Sequence, residues 1–287
     1  MNIVKRNSPL WTAFGRNNAA LVGLSIFIFF VLIALFGPLI VPYDPAEQVG
    51  PPFAAPSAAF LLGTNDAGQD IFSELIMGTR VSLLIGILAS LLGIGVGCVI
   101  GIISGYFGGF IDTCFMRLVD IVLVVPFLPL MIMLSAFVGP SFWNMILVIG
   151  LLSWASPARI IRAQVMSIKT RGYIEAAKSM RTPHFVILYK HLLPGVLPVI
   201  ASQWIMAASH AILSEASLSF LGLGDPLTKS WGSVLFYAQA RGAFLTEAWV
   251  WWILPPGLLI TTLVVGFAMA GYAVEEASQP RLQKGRM

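Results

Sequence analysis

Six apolar stretches, each about as long as a bilayer-crossing helix, set the first limit on what this chain can fold into. A hydrocarbon layer about 30 Å thick needs roughly 20 residues of helix. The stretches cover residues 21–42, 81–106, 115–138, 142–161, 196–220 and 250–272. Only 10% of residues are charged, where a water-soluble chain carries about 25%, so the solvent for most of this surface is not water. The expected fold is all-α, a polytopic membrane protein with six transmembrane helices. Gly139-Pro140-Ser141 separates the third and fourth stretches, which makes them an antiparallel hairpin. Pro157 lies inside the fourth.

Charge orients the spans. With the N-terminus in the cytoplasm, 14 of the 17 basic residues fall on that side, leaving Arg80, Lys229 and Arg241 outside. The positive-inside rule therefore puts both termini in the cytoplasm of a multi-pass protein of the cell (inner) membrane. Residues 1–20 become a cytoplasmic tail, 21–42 the first span and 43–79 an extracytoplasmic loop. A five-helix core follows over 80–275, with a cytoplasmic loop at about 162–195, and 276–287 form a second cytoplasmic tail. The first run exceeds a signal-peptide core and no small-x-small pattern closes it, so it is expected to stay as a membrane helix.

Some apolar stretches carry residues that cost energy there. Gly93, Gly97, Gly101 and Gly105 recur every fourth position in the second, with Ala89 one step earlier. Residues four apart share a helix face, and small ones let another backbone approach. The stripe reads as a close helix contact, or alternatively as a surface on which helices slide. In the fifth stretch Gln203, His210, Ser214 and Ser217 fall on one face. Polar groups at membrane depth face protein or a watery cavity, so this face either lines a transport path or makes interhelical hydrogen bonds. Glu215, nearer the outer end, is expected to reach the membrane interface. Cys98 and Cys114 have neither disulfide nor metal-ligand spacing and read as packing residues.

The cytoplasmic loop is the most informative segment. A helix is expected over residues 173–180, with small Ala176 and Ala177 between Glu175 and Lys178, stopped by Thr182-Pro183. Held between two spans, such a helix either docks in a groove of a soluble partner or lies on lipid headgroups.

The spacing of Glu175-Ala176-Ala177, Ile187, His191 and Leu193-Pro194 resembles the EAA loop of bacterial and archaeal ABC importer permeases. That resemblance implies a coupling helix fitting a cleft in a separate ATPase, with Glu175, Ala176, Ala177, Lys178, Arg181, Thr182 and His191 at the contact. Arg181 stands where the motif has glycine, a residue suited to a left-handed turn. Leu62-Gly63-Thr64-Asn65-Asp66-Ala67-Gly68-Gln69-Asp70 is similar to the LGTDxxGRD segment of the dipeptide, oligopeptide and nickel permeases, with Gln69 in place of arginine. Pro42-Tyr43-Asp44-Pro45, the glycines and tyrosine of 105–109, Met116 to Asp120, Glu215 to Gly224 and Trp231-Gly232 fit the same group. Residues 270–276 lack its NxxGDxLRDxLDP pattern.

The resemblance covers nearly the whole chain. It implies the type I ABC importer permease fold and the second, C-type permease of a peptide transporter. Nickel, a metal chelate or an oligosaccharide is the alternative cargo. The implied partners are a second homologous permease, two ATPase subunits, an extracytoplasmic substrate-binding protein and the lipid bilayer, with no nucleic acid. None of the six lysines follows a glycine, so no phosphate loop of the GxxxxGK[ST] type exists. No cofactor or metal is expected in this chain; ATP and magnesium belong to the partner ATPases.

Two rival classes fit the sequence less well. A metal-dependent membrane hydrolase would want HExxH, and His184, His191 and His210 show no such spacing. Asp112 and Asp120 share a helix face but sit near the cytoplasmic boundary, where a structural role is expected and catalysis is not. An ion-coupled secondary transporter buries ionisable groups near midmembrane, and beyond His210 and Glu215 this chain offers few.

Overall fold

The computed structural model describes residues 18–278. The tail residues Lys5, Arg6, Arg16, Arg281, Lys284 and Arg286, which contribute to the orientation argument, lie outside that range.

Helix α1 (Asn18–Ile40) is apolar all round and little buried by the rest of the chain, which covers fully only Ala20, Gly23, Phe30 and Gly37. Such a helix is stable only in lipid or against another membrane surface. Residues 41–70 form a compact loop, and α2 (Ile71–Phe107) leaves it at Asp70. The Asp70 carboxylate accepts from the Ser73 backbone N–H at 2.9 Å and the Ser73 hydroxyl at 2.6 Å, satisfying donors that a helix start leaves free. That cap explains why α2 begins ten residues before the apolar stretch at 81. The last residues assigned to the extracytoplasmic loop are its first turns.

The third stretch is not one straight span. It divides into α3 (Gly109–Val124) and α4 (Phe127–Val138), bent by 88°. The break is at Val125-Pro126: Val125 is extended, as a residue before proline prefers, and Pro126 lacks an N–H. The fourth stretch divides into α5 (Phe142–Leu152) and α6 (Ala155–Lys169), bent by 43°. Pro157 sits in the first turn of α6, where its missing N–H has no intrahelical partner to lose. The hairpin turn at Gly139–Ser141 joins α4 to α5.

After α6 come α7 (Gly172–Ser179) and the long α8 (His184–Leu223), which contains π-turns at Ile187–Leu192 and Ser219–Leu223. A short α9 (Trp231–Ala240) starts with a capping box between Ser230 and Ser233. One turn at Trp249–Trp252 leads into α10 (Leu254–Ser278). Among the described residues four helices are long and apolar enough to cross a membrane, and six spans result when each bent pair counts as one.

Helix α2 is the centre, packed against α6, α5, α8 and α1, while α10 closes against α8 and α1. The largest core cluster joins Phe30, Leu75, Leu83, Ile212, Trp231 and Trp252. Large apolar side chains such as Phe110 and Phe137 face outward, an arrangement suited to lipid rather than water.

Candidate coupling loop and translocation face

The segment between α6 and α8 is held from beneath by apolar contacts. Ile174 and Ala177 of α7 pack with Ile187, Leu192 and Val196 of α8, Ile161, Val165 and Ile168 of α6, and Tyr106 of α2. The Tyr106 hydroxyl bonds His184 Nδ1 at 2.8 Å, and the Lys178 ammonium lies 5.6 Å above the Tyr106 ring. Helix α7 thereby turns Glu175, Ala176, Lys178, Ser179 and Met180 outward. Ala177, paired with Ala176 in the sequence reading as an outer patch, is only 3% exposed and belongs to the inner contact. The reason is periodicity: Ile174 and Ala177 are three apart and share the buried face.

The turn after α7 keeps a left-handed geometry without glycine. Arg181 has φ 53°. Its N–H donates to the Lys178 carbonyl at 2.9 Å, and the Thr182 N–H donates to the Ala177 carbonyl at 3.1 Å. These are the two bonds of a Schellman motif, with Arg181 at the position where glycine avoids a penalty of about 1 kcal/mol. The left-handed turn thus ends α7 before Thr182-Pro183 is reached. Thr182 is half-buried through this bond, and His191 is half-buried on the first π-turn of α8.

On α8, Gln203, Ser214 and Ser217 are half-buried and His210 is exposed. The Ser217 hydroxyl donates to the Leu213 carbonyl at 2.7 Å, a bond within its own helix. Gln203 also lines a cavity of about 340 Å³ with Gln164, Ser202 and Glu275. Glu215 does not reach an interface: it is fully buried, accepting from Ser219 Oγ at 2.7 Å and Ser82 Oγ at 3.1 Å. Ser82 in turn accepts from the Trp231 N–H at 3.2 Å, so the carboxylate ties α2, α8 and the start of α9 together.

The glycine stripe faces α5 and α6. A Cβ on Gly93 would lie 2.2 Å from Ser153 Oγ, on Gly97 2.8 Å from the Trp154 carbonyl, and on Gly101 2.7 Å from the Ala158 carbonyl. On Gly105 it would meet Val165 Cβ at 2.8 Å. Asp112 and Asp120 form no carboxylate pair: Asp112 takes a bidentate bond from Arg162 at 2.5 Å and Asp120 pairs with Arg159 at 2.5 Å.

Sequence reasoning missed a second polar cluster at the other end. Glu74, 2% exposed, pairs with Lys229 and accepts from Asn65 Nδ2 at 2.9 Å. Lys229 also donates to Gln69 Oε1 at 2.7 Å, and Gln69 Nε2 donates to the Ala46 carbonyl at 2.9 Å. The amide of Gln69 thus accepts a cation from elsewhere instead of supplying one. The signal was available in Lys229, one of three basic residues on the side otherwise poor in them.

Residues 97–284 match the family of binding-protein-dependent transport system inner membrane components. The chain belongs to that family. Residues 8–56 match the N-terminal transmembrane domain of oligopeptide transport permease C. The permease is 37% identical to the dipeptide transport system permease protein DppC of Haemophilus influenzae, over 96% of this chain and 94% of that one. It is 35% identical to the di/tripeptide permease DppC of Pseudomonas aeruginosa (96% and 93% covered) and 32% identical to the oligopeptide permease OppC of Bacillus subtilis (98% and 93%). A chain of the MetNI methionine ABC transporter, solved in inward-facing conformations, shares the fold, with TM-score 0.57 and 21% identity over 73% of this chain and 98% of that one. This permease is therefore a membrane subunit of an ABC importer with the type I fold, and ATP hydrolysis resides in separate subunits. An ATPase and a substrate-binding protein are its partners in general terms.

Proposed function

We propose that the permease forms half of the translocation path of a peptide importer, beside a second homologous permease, two ATPase subunits and one extracytoplasmic binding protein. The observation that carries the coupling role is α7: a short helix between two spans, anchored by Ile174 and Ala177, with its opposite face bare. A helix so held moves with α6 and α8, and force applied to Glu175, Ala176, Lys178 and Ser179 passes into the spans. The names of the relatives, dipeptide, di/tripeptide and oligopeptide permeases, support a peptide cargo.

In this reading both termini and the loop at 162–195 are cytoplasmic, and the loop at 41–70 faces the binding protein. The face of Gln203, His210, Ser214 and Ser217 lines the path, and the cavity shared by Gln164, Gln203 and Glu275 is its inner end. The chain itself carries no cofactor; ATP and magnesium bind the partner subunits.

Crosslinking in the assembled complex tests the coupling role. Ala176→Cys and Ser179→Cys should each crosslink to the ATPase subunit, whereas Ala177→Cys should not, being turned inward. A complex that assembles and imports yet gives no crosslink from either exposed position would overturn the docking assignment. For cargo, purifying the binding protein of the same system and identifying its bound ligand should return a peptide; a metal chelate or sugar would refute that part.

A further inference from the structure

The cavity between α6, α8 and α10 holds a carboxylate to which its neighbours bring no cation. Its volume is about 340 Å³, and Gln164, Ser202, Gln203 and Glu275 make its polar lining, with Ile160 and Val199 on the apolar part. Glu275 is half-buried, and no ion pair among the described residues involves it. The cations of α6 are engaged elsewhere: Arg159 with Asp120, Arg162 with Asp112, and Lys169 with the Gly105 carbonyl at 3.5 Å. Ile160 and Gln164, four apart, put a different face of that helix on the cavity. Helix α10 contains no lysine or arginine, and neither does α8 from Leu193 onward. The nearest histidines along α8 are His191, about 18 Å of helix before Gln203, and His210, about 10 Å after it.

A carboxylate so placed makes the cavity negative and draws positive charge into it. A metal ion is poorly served there. Hard cations take about six oxygen ligands or more, and among the described residues no group of three His, Cys, Asp or Glu side chains is placed to hold one. An ammonium group needs only acceptors, and the carboxylate with the amide oxygens beside it supplies them. Gln164 and Gln203 each also present an NH2 donor, which suits the alternating N–H and C=O groups that follow the ammonium of a peptide. The volume is at the small end of ligand cavities, about 300–1,000 Å³, and suits one end of a peptide rather than a long segment.

We propose that the Glu275 carboxylate receives the terminal ammonium group of a peptide in transit, while the Gln164 and Gln203 amides pair with the peptide backbone behind it. The proposal rests on the path reading above and deepens it: cargo passes this cavity with its amino end held, and a peptide whose amine is blocked is held less well.

The test uses the full importer complex, free of nucleotide and binding protein, and follows Ala163, an exposed residue lining the same cavity. Ala163→Cys is labelled with a maleimide, read at that position by mass spectrometry, across a concentration series of dialanine or N-acetyl-dialanine. Dialanine should protect at about tenfold lower concentration than the acetylated form, which lacks the ammonium. Adding Glu275→Gln should raise the half-protecting concentration of dialanine about tenfold and leave that of N-acetyl-dialanine unchanged. Glu275→Asp should keep most of the preference. Equal protection by the two peptides with Glu275 intact, or a preference undiminished in Glu275→Gln, would overturn the proposal. Protection by magnesium or nickel chloride where dialanine gives none would overturn it in favour of a metal cation. Uptake of labelled dialanine, measured in vesicles with binding protein and ATP, separates the two levels. If uptake proceeds without the preference, the subsite alone fails; if the complex with Glu275 intact imports no dialanine, the peptide path itself fails.

Discussion

The two polar ends of this permease treat charge in opposite ways. At the end built from the 41–70 loop and the start of α9, buried and half-buried acids are answered within the chain: Glu74 by Lys229 and Asn65, Asp66 by Arg241, and Glu215 by two serine hydroxyls. At the end carrying α7, the exposed cations Arg171, Arg181 and Lys190 have no ion-pair partner among the described residues. Buried charges with internal partners fix one geometry, because removing either partner leaves the other desolvated. Exposed charges without partners cost little and await a surface that supplies the opposite sign. The first end is thus a finished lid over α2 and α8. The second, in the coupling role proposed above, is a surface that another protein completes.

Breaking the finished end should have the largest effect. Lys229→Met leaves Glu74 buried with Asn65 as its remaining partner, and should destabilise the permease by about 3 kcal/mol. Thermal unfolding in detergent would read this as a lowered midpoint. The double variant Glu74→Gln with Lys229→Met should recover part of the loss, since the uncompensated charge is gone. An unchanged midpoint for Lys229→Met would mean that the lid is not held by this pair.

The helix that joins the two ends comes next. Gly101→Val forces a side chain against the Ala158 carbonyl, 2.7 Å from where its Cβ must sit, and should cost about 2 kcal/mol by separating α2 from α6. Gly95→Ala is the control: a Cβ there meets nothing within 4 Å. Equal loss in both would assign the effect to glycine removal as such, not to packing. Nearer the loop, Arg162→Ala should cost about 1.5 kcal/mol by releasing the part-buried Asp112 from its bidentate bond. A smaller effect than that of Lys229→Met is required, since the Asp112 side chain is more exposed than that of Glu74.

How much of this was legible beforehand follows from what each feature depends on. The spans were readable because a bilayer demands length and apolarity, both local properties. The glycine stripe was readable as a face because helix geometry fixes the spacing, although its partner α6 was not. The break at Val125-Pro126 escaped although its proline marks it, because the apolar composition runs on across it; that at Ser153-Trp154 carries no proline at the bend and was hidden. Asp70 was visible in a motif but not as the cap that starts α2 early. Glu215 was misjudged because its position along the helix suggested water, while its serine partners lie far off in sequence or come from its own π-turn. Ala177 was set on the outer face because the motif groups it with Ala176, whereas a helix separates neighbours by about 100°.

Arg181→Gly gives the smallest stability effect and the sharpest contrast between the two ends. Glycine meets φ 53° without the clash of Cβ with the carbonyl, so the turn should gain about 1 kcal/mol. The bonds that report it are local: the N–H of residue 181 to the Lys178 carbonyl and that of Thr182 to the Ala177 carbonyl. Hydrogen exchange at these two amides in the isolated permease should slow by about fivefold, consistent with a gain of that size. At the other end, gain of order and gain of function should run together for the pair of Glu74 and Lys229, whose partners are internal. At the loop end the turn should become more stable with its two bonds unchanged in partner. If exchange at these amides does not slow, the left-handed turn at residue 181 carries no strain that glycine relieves.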